Sequence, residues 1–279
     1  MAVEVATWNI ARGLSEEHSR FTQIVEGLKG LGDIIALPEA YAEGANVSPE
    51  LIADRLGQLA TFASVYGYEI TDTAYQDADP TRPDVAEGFE QHIVLLHGKG
   101  LYSRVKPTRL GTRNALEFLF REAPNKPEIR GVAVHLDDRS EALRRGMVDE
   151  VFRILGVNQP TLLMGDLNAM HGDSWSARLL RTAPAGFLAE HLPGARGKWL
   201  ASRLIEMADG GTMNRLTGAG LRDADVLGQA TYKFRGIPFG QLDHIMTAGE
   251  VVVRNFSAKN LPGSDHKAVS AKLHTRILY

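Results

Sequence analysis

The sequence predicts an α/β protein in which two mixed β-sheets stack and helices flank them, a four-layer sandwich. Three observations lead there. Short apolar strands alternate with amphipathic helices along much of the chain, the pattern of the α/β class. Strand-only stretches in the middle and the C-terminal third are too frequent for a simple doubly wound sheet. No internal repeat, low-complexity tract or Pro/Gly/Ser-rich linker divides the chain, so residues 1–279 read as one domain, a length common among single α/β domains.

Val3 to Trp8 reads as the first strand. A helix is expected from Ser15 to about Leu31, with Ser15 as N-cap, Glu16 and Glu17 in the first turn, and Gly30 and Gly32 at the stop. Asp33 to Leu37 is a short buried strand that Pro38 is expected to end. Ser48-Pro49-Glu50 matches an N-cap, a proline at the first helical position and an acid beside the helix dipole. The stretch from Tyr66 to Arg130 is the least periodic, with strand candidates at Gln91–Leu96 and Leu116–Phe120. In the strand Ile129–Leu136, Val132, Val134 and Leu136 share one face and Ala133 and His135 the other. The next helix starts near Arg139 and repeats Leu143, Met147, Val151 and Leu155 at four-residue spacing. Thr161–Gly165 is apolar throughout, as a strand buried on both faces requires. Helices over Trp175–Arg181 and Lys198–Ala208 precede strands at Gln241–Thr247, Glu250–Phe256 and Lys267–Leu273.

Composition narrows the chemistry. The chain has 31 Lys+Arg against 34 Asp+Glu, a formal charge of −3, which argues against a strong, indiscriminate nucleic-acid binder but leaves room for a local basic patch. There are no cysteines, which excludes disulfides, zinc-thiolate sites, iron–sulfur clusters and cysteine nucleophiles, so any metal must rest on oxygen and imidazole ligands. No apolar run approaches the length of a membrane span, and the N-terminus lacks the basic start and apolar stretch of a secretory signal. The expectation is a cytoplasmic enzyme without a membrane anchor, working as a monomer.

Polar residues stand at the ends of apolar strands, where α/β sheets place their ligands. They are Asn9, Glu39, His135, Asp166 with Asn168, Asp243, and Asp265 with His266. Taken singly, a carboxylate after a strand is more often an N-cap or a loop residue, and a histidine in a strand is usually a hydrogen-bonded structural residue. The order along the chain is the stronger signal. Asn, Glu, His-Leu, Gly-Asp-x-Asn, Leu-Asp-His and Ser-Asp-His together resemble the endonuclease/exonuclease/phosphatase superfamily, the deoxyribonuclease I-like fold. The resemblance runs from Asn9 to His266, and its most specific pieces are Gly165-Asp166-Leu167-Asn168-Ala169 and Ser264-Asp265-His266.

That resemblance implies a Mg2+-dependent phosphodiesterase, with Mn2+ as a substitute, and a site in a cleft at one end of the sheets. It makes Glu39 the principal metal ligand, assisted by Asn9, with Asp265 as a further metal contact. Asp166 holds or deprotonates the attacking water. Asn168, two positions on in an extended segment, donates to a phosphate oxygen, and Asn9 and Arg113 also bind substrate. His266 contacts the phosphate while Asp243 sets its tautomer, and His135 acts at the phosphate or the leaving group. Those residue types suit the reaction, which needs a hard cation on oxygen ligands, an activated water and a stabilised leaving oxygen.

The sequence departs from the family pattern in two ways. Pro38 stands where the family usually has Gln, removing a hydrogen bond expected to orient Glu39, and Leu167 replaces the usual Phe. The signatures of the abasic-site repair branch are absent, so the chain resembles the deoxyribonuclease and sphingomyelinase side. Nucleic acid is the expected substrate, cut by an endonuclease or an exonuclease. A lipid or inositol phosphate, or a non-catalytic binding relative, are the alternatives. His92 receives no role; Asp173-Ser174 read as the cap of the Trp175 helix, and His244 should point away from Asp243.

Overall fold

The computed structural model describes residues 2–15, 18–43, 48–73, 90–98, 100–111, 113–156, 159–182, 195–234 and 237–276. The first half of the chain forms β1 (Val3–Thr7), α1 (His18–Leu28), β2 (Ile34–Glu43), α2 (Pro49–Val65), β3 (Tyr68–Asp72), β4 (Glu90–Gly98), β5 (Tyr102–Leu110), β6 (Arg113–Arg121) and β7 (Glu128–His135). It continues through α3 (Glu141–Leu155), β8 (Thr161–Asp166), α4 (Trp175–Thr182), α5 (Ala195–Ala208) and α6 (Gly211–Gly218). The last part holds β9 (Arg222–Asp223), β10 (Tyr232–Phe234), β11 (Ile237–Gly240), β12 (Asp243–Ala248), β13 (Val251–Lys259) and β14 (Ala268–Thr275).

Two six-stranded sheets, in the orders β13-β14-β1-β2-β4-β3 and β5-β6-β7-β8-β12-β9, carry the fold. Both are mixed: β1–β2 and β7–β8 pair in parallel, and the other pairs are antiparallel. The sheets meet through an apolar layer in which Val5, Ile34 and Val269 of one pack with Phe118, Ala133 and Met164 of the other. Trp8, Ile35 and Leu96 on the outside of the first sheet lie under Ile24 of α1 and Leu59 of α2. Val132, Val134 and Leu163 on the outside of the second lie under Met147 and Val151 of α3 and Leu216 of α6. Helix, sheet, sheet, helix is the four-layer sandwich expected from the strand and helix pattern. No helix among the described residues is long and apolar enough to cross a membrane.

Several boundaries differ from the sequence reading. Pro38 does not end its strand; β2 runs on to Glu43, and its register against β4 shifts between Leu37 and Tyr41. Proline is tolerated there because a bulge needs no ladder N–H from it. The first long helix begins at His18, after a 3-10 turn at Gly13–Ser15, and the expected first-turn acids Glu16 and Glu17 lie outside the described residues. Leu143 is 50% exposed, and Arg144 and Val148 occupy the buried face of α3 alongside Met147, Val151 and Leu155. The charged, proline-bearing strand β5 had no apolar alternation to mark it, as befits an edge strand.

Candidate active site

Strand register assembles the site. On the second sheet His135 of β7 stands beside Asp166 of β8, and Asp166 stands opposite Asp243 of β12. The first sheet contributes Asn9 just past β1, Glu39 in the β2 bulge and His266 just before β14. The Asn9 amide nitrogen donates to Glu39 Oε1 at 3.2 Å and, across to the second sheet, to Asp166 Oδ2 at 2.8 Å. Trp8 Nε1 donates to the His266 carbonyl at 3.2 Å, and Ser264 Oγ donates to the Asn9 carbonyl at 2.6 Å. Glu39 and Asn168 both adopt left-handed backbone, φ 48° each, so two of the functional positions are strained.

The charges are unequally satisfied. Asp243 is fully buried and accepts a hydrogen bond from His266 Nδ1 at 2.8 Å, while its other oxygen has no hydrogen-bond partner. Burial opposes the charge on His266, but the Asp243 carboxylate outweighs it and raises the imidazole pKa to about 10, so His266 is an imidazolium at neutral pH. Asp166 lies 3.9 Å from His266 Nε2; burial, reinforced by Asp243, pushes its pKa up to about 7. His135 is the converse case. Burial first, then the positive charges of Arg113 and His266, hold its pKa well below the ordinary imidazole value. It is neutral, its Nε2 lies 3.3 Å from Glu39 Oε1 and 3.9 Å from Asp166 Oδ2, and neither ring nitrogen makes a hydrogen bond.

A cleft of about 300 Å³ opens over these groups, lined by Glu39, Asp166, Asn168, Asp265, His266, Tyr232 and Arg203 among others. One ligand atom from each of Glu39, His135 and Asp166 lies within 4.8 Å of the other two. Two carboxylates forced together beside an orphaned imidazole fit a divalent cation, which would relieve their mutual repulsion.

The geometry places four of the expected site residues differently from the sequence reading. Asn9 turns its amide oxygen to the Ala11 N–H at 2.8 Å and its nitrogen to the carboxylates, so in this geometry it orients them as a donor. Asn168 is not in an extended segment: its left-handed backbone turns the side chain so that its nitrogen donates to the Leu136 carbonyl at 3.0 Å, while its backbone N–H holds Asp166 Oδ1 at 2.8 Å. Its reach to a phosphate through that nitrogen is therefore taken up. Asp265 is exposed at the rim and joins no cluster of three metal-ligating groups among the described residues. Arg113 is half-buried and bonded to Gln91 and, at 2.8 Å, to Asp138 Oδ1, so its charge acts on the site from behind. Burial lowers its pKa, against the pull of Asp137, Glu39 and Asp166.

Two lining residues had no sequence signal. Arg203 reaches the cleft from α5 and is paired with Asp138. Tyr232 lies against His266 with ring centroids 4.9 Å apart. Arginine on a helix and tyrosine on a three-residue strand carry no local mark of a site. Among the groups given no role, His92 stacks on Tyr41 at 4.5 Å in the core, and Ser174 caps α4 by accepting the Ala177 N–H at 3.2 Å.

Comparison with known proteins agrees with this geometry. The comparison with curated proteins returned no match. Among solved structures, an endonuclease/exonuclease/phosphatase from Beutenbergia cavernae aligns with TM-score 0.65 and 16% identity over 98% of this chain and 72% of its own. The human nocturnin catalytic domain with bound sulfate aligns with TM-score 0.56 and 15% identity over 99% and 95%. A mannosyl-6-phosphatase from Bacteroides thetaiotaomicron aligns with TM-score 0.58 and 12% identity over 98% and 99%. At such identities these likenesses speak for the fold alone, but the sequence profile of the Endonuclease/Exonuclease/phosphatase family matches residues 6–266, from the first strand through the Asp–His pair. The chain belongs to that family, whose members are phosphoester hydrolases.

Proposed function

We propose that the protein is a Mg2+-dependent phosphodiesterase that cleaves nucleic acid, working as a monomer. The observation that carries this reading is the convergence of Glu39, His135 and Asp166 at the ends of two sheets, with the His266–Asp243 pair 3.9 Å from Asp166. Glu39 is the ligand placed to hold the cation, which when bound would withdraw charge from the phosphate and acidify the attacking water. Asp166, anchored by Asn9 and by the Asn168 N–H, accepts the proton of that water. Burial and the neighbouring Asp243 raise the Asp166 pKa, which makes it a stronger base than an ordinary aspartate. His266 stays protonated and donates to a phosphate oxygen, where negative charge grows in the transition state. His135, neutral and without a hydrogen bond of its own, is free to serve the leaving oxygen. Pro38 does not disable the site, because the bulge and the Asn9 amide position Glu39 without a preceding Gln.

A second reading, a compact phosphate ester as substrate, is favoured by the size of the cleft, about 300 Å³ with α5 as one wall. A hydrolysis panel with Mg2+ and with Mn2+ decides. It should cover single- and double-stranded DNA, RNA, sphingomyelin, inositol phosphates and sugar phosphates. Release of nucleotides or oligonucleotides supports the nuclease reading. Turnover of sugar or inositol phosphates alone replaces it with the second.

A further inference from the structure

Alternation along β12 sends Asp243 into the cleft and its neighbour His244 to the other face of the sheet. There His244 meets Asp223 of β9 and His171 from the loop after β8. His244 Nδ1 lies 2.6 Å and His171 Nε2 2.9 Å from the same oxygen, Asp223 Oδ2, and the three ligand atoms fall within 4.8 Å of one another. We propose that these three residues form a second cation site, distinct from the catalytic cleft, that takes a divalent ion of the Zn2+ class.

Two observations beyond proximity point to a ligand. First, the opposite end of two of the side chains is already anchored to backbone. His244 Nε2 donates to the Ala169 carbonyl at 3.0 Å, and Asp223 Oδ1 accepts the Asp225 N–H at 3.1 Å. That leaves Nδ1 and Oδ2 facing each other, with the Gln241 amide nitrogen 3.2 Å from both, the arrangement in which outer hydrogen bonds orient metal ligands and fix the histidine tautomer. Second, His244 is fully buried with each ring nitrogen turned to an oxygen, Nε2 to the Ala169 carbonyl and Nδ1 to the Asp223 carboxylate, so Nδ1 is the nitrogen presented as a ligand atom.

The donor set selects the ion. Two imidazoles and one carboxylate suit Zn2+ and its neighbours, whereas Mg2+ prefers oxygen throughout. A tetrahedral ion with bonds of about 2.0 to 2.1 Å spaces its ligands by about 3.3 Å, so Asp223 Oδ2, now 2.6 Å from His244 Nδ1 and 2.9 Å from His171 Nε2, would part from them by about 0.7 Å and about 0.4 Å. His171 is 25% exposed and opens on a cleft of about 490 Å³ that also holds Arg178 and Arg181, which gives the fourth position to a water or an anion. The ion would tie three segments together: β9, β12 and the loop that leaves Asp166 and Asn168. That loop also carries the bonds from Leu167 N–H to the Leu242 carbonyl, 2.9 Å, and from Met170 N–H to the Met207 carbonyl, 2.8 Å.

The test separates this site from the cleft. Glu39→Gln weakens cation binding in the cleft and leaves the second site intact, so it is the background for metal loading. Chelator-stripped Glu39→Gln protein, loaded with Co2+ and dialysed, should retain one equivalent and show the visible absorption of a tetrahedral nitrogen–oxygen site. Adding His171→Gln should abolish both the bands and the retained Co2+ with an unchanged circular dichroism spectrum, since His171 is partly exposed and outside the core. Zn2+, unlike Mg2+, should raise the melting temperature of Glu39→Gln and not of the double variant. Failure of Glu39→Gln to retain Co2+, or equal retention after His171→Gln, would overturn the site and leave a proton-bridged His–Asp–His network.

Discussion

Asp243 and His244 are consecutive on β12, yet they belong to clusters of opposite character. The cleft cluster is under-satisfied: neither nitrogen of His135 makes a hydrogen bond, nor does one oxygen of Asp243, and Asp166 is driven up to about 7 by burial and by Asp243. Its backbone is strained at Glu39 and Asn168. Without an ion, the second cluster is closed by hydrogen bonds. His171, His244 and the Gln241 amide all converge on Asp223 Oδ2. Burial alone would raise the Asp223 pKa, but His244 and His171 hold it well below the usual carboxylate range. The same residue types on either face of β12 therefore make a reactive site where their bonds are left open and a brace where they are closed.

The comparison can be broken by mutation. Asp223→Asn should mainly cost stability, by about 3 kcal/mol or more, because it strands a buried imidazolium. Urea denaturation of the metal-free protein checks this, and an unchanged midpoint would show that the second cluster is not a brace. Asp166→Asn should do the reverse, lowering kcat by roughly 10² or more with the melting temperature little changed. Activity within a few-fold of the parent would remove Asp166 from the reaction.

Asp243→Ala, His266→Ala and the double variant should show similar losses, since two residues that act as a unit are non-additive. Losses that multiply would mean that the two work independently. The pair should also mark the pH dependence of stability. The folded pKa of His266, about 10, exceeds its unfolded value, so its stabilising contribution is fully present below about pH 6.5 and is lost as pH rises through 10. Denaturation midpoints of the metal-free protein should fall between pH 7 and pH 10, and His266→Gln should flatten that fall.

Much of the cleft was legible because each apolar strand delivers a polar residue at its end. Asn9, Asp166 and Asp243 are adjacent in space for the reason they stand out in sequence. What stayed hidden is set by geometry that no local pattern encodes. Pro38 looks like a strand terminator, and only the β2 bulge reveals why Glu39 still faces the cleft. Asn168 sits two residues from Asp166, but its left-handed backbone cancels the same-side argument that holds for an extended chain. Arg203 and Tyr232 come from segments whose own periodicity says nothing about where they dock. His244 was expected to face away from Asp243 and does, but its partners lie 21 and 73 residues away along the chain, at Asp223 and His171, beyond the reach of any local motif.

The central claim is that Glu39 and Asp166 make a cation-dependent hydrolytic site. The most direct measurement is a Mg2+ titration of the wild type and of Glu39→Gln, following the melting temperature and phosphodiester hydrolysis together. Binding to the native state alone stabilises it by roughly 1.4 kcal/mol at about ten times Kd. For a chain of this size that is a rise of about 2 °C. The account predicts that the wild type shows this shift, with hydrolysis that EDTA abolishes, and that Glu39→Gln loses both, because a neutral amide is a much poorer Mg2+ ligand than a carboxylate. A wild type with no shift at millimolar Mg2+ and with hydrolysis that survives EDTA would contradict it.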